Sequence, residues 1–202
     1  ADRRGDPIEG ALVTVKAAEG DASLGQGHTD GKGQLTLAVP AGKHRLVVES
    51  LGRETVTQPF EAAADGKLNV EMVDPGYVDG EITAAAGGPI PCKVQFHGEE
   101  GTPDPYFGHE TMAGAVHNVV YTANGKFRQA MGPGKYRVII SYGPEHDVVT
   151  THLEVRRGES TPLTAQLVRT VDTRGWVSAD FHNHSSPSGD NTSSQLGRVL
   201  NI

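Results

Sequence analysis

Two stretches of this 202-residue chain repeat one another and decide its fold. The first reads GQLTLAVPAGKHRLVV over residues 33–48, and the second reads GKFRQAMGPGKYRVII over residues 125–140. They align without a gap, and each places Gly-Lys-x-Arg shortly after a proline, which is typical of a tight turn. Both end in the branched apolar residues that strands prefer. The chain therefore contains two copies of one β unit.

Alternating apolar and polar residues extend each copy upstream. Residues 7–15 (PIEGALVTV) match residues 89–96 (PIPCKVQF) if one residue is skipped. A period of two residues buries one face of a strand and leaves the other in water. The alternation predicts two small β-sandwiches, the first over about residues 7–73 and the second over about 76–168. Further strands are predicted at residues 34–39, 55–60 and 68–72 in the first copy, and at 147–155 and 163–168 in the second.

The composition fits an all-β chain and excludes several classes of protein. The chain has 26 Gly and 12 Pro between short apolar stretches, which favours many turns over long helices. With 18 Lys and Arg against 25 Asp and Glu, the formal charge is -7, so nucleic acid is not an expected partner. No apolar run is long enough for a membrane span. The single cysteine, Cys92, excludes an intramolecular disulfide, and its inward strand position predicts an inert thiol.

The first copy resembles the carboxypeptidase regulatory-like domain, a transthyretin-like β-sandwich. The resemblance rests on PIEGALVTV at residues 7–15, TDGKG at residues 29–33 and VPAGKH at residues 39–44. It extends more loosely to the second copy. In that family the motif glycines and proline serve turns, and the modules pack against, stabilise or space a neighbouring domain. The resemblance implies a fold and no catalytic role.

A motif with clear chemistry follows the second copy, in WVSADFHNHSSPSGD at residues 176–190. Residues 177–184 are predicted to form a strand, on which residues i and i+2 point to the same side. His182 and His184 would then present two imidazoles together, as a partial site for zinc, manganese or iron. Two ligands do not make a tight site, so the pair by itself is weak evidence for a metal.

This string resembles the opening of the PHP-superfamily metallohydrolase domain, in particular that of CehA/McbA-type proteins, in which β-sandwich modules can stand before it. The resemblance implies a distorted (β/α)7 barrel that cleaves phosphoester or related bonds with a metal-activated water. It gives His182 and His184 a metal-ligand role, and it places Asp190 near the same divalent metal (Zn, Mn or Fe). The other family ligands come from later strands. No complete catalytic site and no tightly bound metal are therefore expected in these 202 residues.

These features predict three parts. Residues 1–74 form a carboxypeptidase regulatory-like β-sandwich, residues 75–170 form a second β-sandwich with a long insertion, and residues 171–202 form the first strand and helix start of an incomplete PHP-type domain. The fold class is all-β, with two tandem Ig-like or transthyretin-like sandwiches plus a C-terminal strand that begins a truncated (β/α) barrel. The helix is predicted to start within residues 192–200 (TSSQLGRVL), whose apolar positions have helical spacing.

Other polar segments allow more than one interpretation. The insertion at residues 97–119 is either a packed surface loop, with Tyr106 and Phe107 covering the sandwich edge, or a lid or contact surface. Residues 143–147 (GPEHD) read more readily as a turn than as a cation site. No strand or helix spacing brings together the three histidines of the insertion, which are His97, His109 and His117.

The predicted function is that of an accessory β-sandwich region of a PHP-type metal-dependent hydrolase, inactive by itself. Its partner would be its own downstream barrel or another protein chain, and its sheet edges permit a homo-oligomer. The alternative is an extracytoplasmic structural, adhesion or assembly protein that acts through sheet edges or surface contacts. A sugar-binding module is disfavoured because aromatic residues make up 5% of the chain, with one Trp. We expect an exported, periplasmic or extracellular protein, because β-sandwich modules precede the start of a PHP-type barrel and the initiator Met is missing.

Overall fold

The computed structural model describes residues 1–63, 65–108, 114–191, 195–196 and 199. Within them the chain forms twelve β-strands in three sheets, which confirms the all-β class. The chain divides into two compact units, Ala1–Pro75 and Gly76–Ile202. The predicted helix start at residues 192–200 lies largely outside the described residues.

The first unit contains one antiparallel sheet with the strand order β2-β1-β3-β4. Its strands are β1 (Leu12–Ala17), β2 (Ser23–His28), β3 (Gly42–Glu49) and β4 (Val56–Ala62). Alternate residues of β3 are buried, as the period of two predicts, and Leu46 and Val48 join Val15 in the core. Strand β4 confirms the strand predicted near residues 55–60.

The strands predicted at residues 34–39 and 68–72 do not form. Both segments still turn apolar side chains toward the core, where Leu37, Val39 and Met72 pack. Their backbones do not form continuous ladders, since Met72 makes only an isolated bridge to Asp2. An alternating pattern reports burial of one face, and it does not report whether a neighbouring strand supplies hydrogen bonds.

The second unit packs two sheets around one core. The five-stranded sheet has the order β11-β10-β6-β8-β7, and the three-stranded sheet has the order β12-β5-β9. The strands are β5 (Gly76–Ala84), β6 (Cys92–Glu99), β7 (Ala115–Val116), β8 (Val119–Thr122), β9 (Lys126–Met131), β10 (Gly134–Ser141), β11 (Val149–Val155) and β12 (Ser160–Leu167). Val78 and Leu163 from the smaller sheet and Phe96 and Val138 from the larger sheet belong to the same buried cluster. Strands β11 and β12 correspond to the two strands predicted at the end of the second copy.

The repeat does not predict β5, the central strand of the smaller sheet. It pairs antiparallel with β9 and parallel with β12. Parallel pairing joins segments far apart in the chain, so no local turn signal announces it. The turn before β9 requires glycine at position 125, because φ is +77° there and a Cβ would lie 1.9 Å from the carbonyl oxygen of Ile82.

Candidate functional site

Residues 177–184 do not form the predicted strand. Trp176, Val177 and Phe181 are 83%, 92% and 97% exposed, so the apolar side chains of this segment have no core to cover. A strand needs a neighbour for its backbone hydrogen bonds, and no described strand pairs with this segment. The expectation that the described residues contain the first strand of a truncated barrel is therefore wrong.

The two histidines of the segment nevertheless come together. The Nε2 atoms of His182 and His184 lie 2.7 Å apart, and the ring centroids lie 4.8 Å apart with the planes inclined by 15°. The carboxylate of Asp180 accepts a hydrogen bond from the backbone N–H of His182 at 3.0 Å and so bends the chain before the pair. A hydrogen bond at this distance has one ring as donor and the other as acceptor, and the tautomers of the two rings decide which is which.

Asp190 lies on the other side of the His184 ring. Its Oδ1 atom is 2.9 Å from Nδ1 of His184, and it accepts a hydrogen bond from the hydroxyl of Ser188 at 2.6 Å. The Ser188 hydroxyl, followed by the His184 imidazole, holds the pKa of Asp190 below its ordinary value. A carboxylate at Nδ1 favours the tautomer with the proton on Nδ1, which leaves Nε2 as the electron-pair donor.

This arrangement can supply part of a metal site. Within the part of the chain that the structure describes, no group of three His, Cys, Asp or Glu side chains is placed to hold a metal ion. The Nε2 atoms of His182 and His184 lie next to each other, whereas Asp190 contacts Nδ1 of His184 and is placed to orient that ring. The sequence does not single out Ser188, whose hydroxyl lies 2.9 Å from the same Nδ1. The sequence signal from which Ser188 could have been predicted is its spacing of two residues from Asp190.

The insertion packs against the second unit over its described residues, 97–108 and 114–119. Phe107 is 2% exposed and meets Phe96 edge to face, with ring centroids 5.7 Å apart. Asp104 accepts a hydrogen bond from the N–H of Gly98 at 2.8 Å. These contacts support the packed surface loop over the lid. Tyr106, 48% exposed, remains at the surface.

The two described histidines of the insertion, His97 and His117, have different partners. His97 lies 3.6 Å from the carboxylate of Asp104, and His117 packs edge-on against Tyr106 at a centroid distance of 5.6 Å. His109 lies outside the described residues. His97 lies on β6, and neither of these contacts brings the two histidines together.

Residues 143–147 form a turn that holds the segment leaving β12. The carbonyl oxygen of Glu145 accepts the N–H of Thr170 at 2.9 Å, and the carboxylate of Asp147 accepts the Thr170 hydroxyl at 3.0 Å. His146 packs on Tyr142, and its Nδ1 atom is buried with no hydrogen-bond partner among the described residues. Asp147 is engaged in this structural contact, which favours the turn over the cation site.

Cys92 is 5% exposed, and burial raises the pKa of its thiol to about 11. A thiol with this pKa is almost fully protonated at neutral pH and is a poor nucleophile. Nucleophilic catalysis by cysteine therefore has no support in the described residues.

Comparison with known protein families found a match within the first unit. Residues 1–73 match the carboxypeptidase regulatory-like domain family, which confirms that part of the resemblance. The chain is thus an all-β protein whose residues 1–73 match this family. No comparison supports a PHP-type domain. No curated protein matches the chain.

Three solved structures overlap the chain at low identity. The minor pilin GBS52 of Streptococcus agalactiae is 13% identical with a TM-score of 0.38, and the match covers 86% of this chain and 88% of the pilin. The Bacillus anthracis TIE protein is 17% identical with a TM-score of 0.37, and the match covers 80% of this chain and 31% of that protein. A streptococcal ancillary pilin is 14% identical with a TM-score of 0.41, over 84% of this chain and 60% of that one. At these values no role is transferred from them.

None of the described residues belongs to a helix long and apolar enough to cross a membrane.

Proposed function

We propose that this chain is a non-catalytic β-sandwich region whose residues 176–191 supply two histidine ligands to a PHP-type, metal-dependent hydrolase of phosphoester-like bonds. The observation that carries the proposal is the proximity of the His182 and His184 Nε2 atoms, 2.7 Å apart. The Asp190 carboxylate at Nδ1 of His184 supports it, because histidines that bind metals usually donate their second ring N–H to such a group.

In this proposal each residue has a separate task. His182 and His184 donate Nε2 lone pairs to a divalent metal, and Asp190 with Ser188 holds His184 in the required tautomer and orientation. When bound, the metal would lower the pKa of a coordinated water and polarise a phosphoryl oxygen. Residues 171–202 act as the start of a separate domain, although they belong to the same compact unit as the second pair of sheets, Gly76–Ile202.

Two imidazoles on an exposed segment are not a catalytic centre. A tetrahedral zinc site in an enzyme takes three protein ligands, and a two-metal site takes more. The further ligands must come from additional strands, which either the same polypeptide or another chain could provide. We expect the 202 residues alone to bind metal weakly and to have no hydrolase activity.

Cobalt titration tests the metal role. Co²⁺ is added to the 202-residue chain while the histidine ring signals are followed by NMR, and paramagnetic broadening is expected first at His182 and His184. The His182→Ala variant should lose the broadening at His184. The matched control is His152→Ala, which removes an imidazole on β11 that is 65% exposed. Uniform broadening of all exposed histidines would remove the support for a site at this pair.

Turnover tests the expected inactivity. The chain is incubated with an activated phosphodiester and Mn²⁺, Zn²⁺ or Fe²⁺, and no metal-dependent hydrolysis is expected. Turnover that is abolished by His182→Ala would show that the described segment already forms an active centre.

The second candidate function is that of an exported structural, adhesion or assembly protein. The observation that favours it is the exposure of Trp176, Val177 and Phe181 in a segment that pairs with no described strand, since such a segment can be donated as a strand to a neighbouring chain. Burial of Trp176 in a partner would shift its fluorescence to shorter wavelength on self-association. The metal proposal expects no such shift in the isolated chain, so one titration over protein concentration separates the two functions.

A further inference from the structure

We propose that strand β2 is a docking edge at which two copies of this chain pair antiparallel, joining their four-stranded sheets into one continuous sheet. This inference concerns the first unit and does not depend on the metal proposal. It rests on a difference between β2 and the other sheet edges, and on which backbone groups of each edge strand face outward.

Strand β4 is blocked as an edge. In an antiparallel ladder the backbone groups of successive residues face the two sides of the strand in turn. The bond from Thr29 N to Ala11 O, 3.0 Å long, sets this alternation across the first sheet. Counting the alternation from this bond shows that the backbone N–H and C=O of Arg45 point toward β1. Pro59 is in register with Arg45 on the next strand, so its backbone groups point away from β3. Proline has no N–H at this outward position and cannot donate to an added strand.

Strand β12 is blocked in the same way. The carbonyl oxygens of Glu159 and Leu167 accept the N–H groups of Tyr77 and Ala85 at 2.9 and 3.0 Å, so the odd-numbered residues face β5. Pro162 therefore faces outward and removes a donor from this edge.

Strand β9 is blocked by side chains. Two of its outward carbonyl oxygens are already occupied: that of Lys126 by the hydroxyl of Thr122, and that of Ala130 by the amide of Gln129, both at 2.9 Å. On β11, the carbonyl oxygen of Glu154 accepts the hydroxyl of Thr161 at 3.3 Å, which occupies one end of that edge and leaves the outward groups of Thr150 and His152. Strand β7 has only two residues. These devices protect sheet edges from unintended pairing.

Strand β2 has no outward proline, and no side chain of the described residues occupies its outward carbonyl oxygens. Its sequence, SLGQGH, contains no Pro, Lys, Arg, Asp or Glu. Because Gly25 and Gly27 face β1, the backbone groups of Gln26 and His28 face outward. No hydrogen bond from the described residues reaches them, and both side chains are exposed.

A second copy fits this edge because β2 is complementary to itself. A two-fold axis at Gly27 places Gln26 opposite His28 of the second copy, and His28 opposite its Gln26, with about four N–H···O bonds between them. No Lys, Arg, Asp or Glu of either strand faces a like charge, which matters for a chain with a formal charge of -7. The β-bulge between Val15 and Lys16 ends the regular register and keeps the interface short. The dimer should therefore be weak and concentration-dependent.

Sedimentation of the whole 202-residue chain over a wide concentration range tests the proposal. The wild type should show a monomer–dimer equilibrium. Gln26→Pro removes an outward N–H and should raise the dissociation constant at least about tenfold. The double variant Gln26→Lys/His28→Lys leaves the backbone intact, places charge on the exposed edge, and should have the same effect. The matched control is Thr57→Pro, at an outward position of the blocked strand β4, which should leave the equilibrium unchanged.

Hydrogen exchange locates the interface. Amide protection at Gln26 and His28 should rise with protein concentration, whereas that at Thr57 should not. A wild type that stays monomeric at high concentration overturns the proposal. So does a dimer that both β2 variants retain, or one that protects other strands. The Co²⁺ experiment on His182 reports on a different unit, so failure of either proposal leaves the other intact.

Discussion

Replacing Phe107 by alanine tests whether the insertion is a packed part of the second unit. The ring is 2% exposed and meets Phe96 edge to face at 5.7 Å. Removing a buried phenylalanine side chain costs about 3–5 kcal/mol, and an edge-to-face pair contributes about 0.5–1.5 kcal/mol of such a loss. The free energy of unfolding of the second unit should fall by about 3–5 kcal/mol.

Amide hydrogen exchange is the suitable assay, because a chain with two compact units need not unfold in one step. Two bonds report on the insertion: Phe107 N–H to His117 O at 2.6 Å, and His117 N–H to Gly108 O at 2.9 Å. Phe107→Ala should speed exchange at both amides and also in the core strand that carries Phe96. The control is Tyr106→Ala, from the same loop, whose side chain is 48% exposed and should matter little. A loss below about 1 kcal/mol for Phe107→Ala would refute the packed loop and favour a mobile lid.

Three further outcomes are expected. Gly125→Ala should lower the free energy of unfolding of the second unit by about 1–3 kcal/mol or more, measured by thermal unfolding. Gly87→Ala is also at positive φ but has open space around it, so it should cost less. Equal losses for the two variants would show that the contact with Ile82 is unimportant. The Cys92 thiol, with its pKa raised to about 11, should react slowly with a disulfide reagent at pH 8 and rapidly after unfolding, and fast reaction of the folded chain would contradict its burial. Because the folded-state pKa of Asp190 is below the ordinary 3.8, its contact with His184 should persist above pH 4 and be lost as the pH falls further. NMR of the His184 ring should show this step, and Asp190→Asn should abolish it.

The repeated turns and the alternating pattern were sufficient to predict the all-β class and several strands. Strand β4 and the buried alternate residues of β3 follow directly from local sequence, since a tight turn and a period of two are short-range signals. The same pattern wrongly predicted strands at residues 34–39 and 68–72. Those segments bury their apolar side chains as predicted, but their backbones lack continuous neighbours. Strand β5 was missed because its partner β12 lies far along the chain.

The candidate site divides in the same way. The His-x-His spacing predicts two imidazoles on one side, and the structure brings their Nε2 atoms to 2.7 Å even without a strand. The place of Asp190 at Nδ1 of His184, with Ser188 beside it, depends on how residues 185–190 turn, which the sequence does not specify.

What the sequence by itself determined is the chemistry available: the turn residues, the faces to be buried, the absence of a disulfide, and the pair of histidines. Only the tertiary structure decided which segments become strands, how the insertion packs, and which sheet edges are blocked. The reason is physical. Burial and turn formation are encoded over a few residues, whereas hydrogen-bond pairing of strands depends on which distant segment the folded chain places beside them.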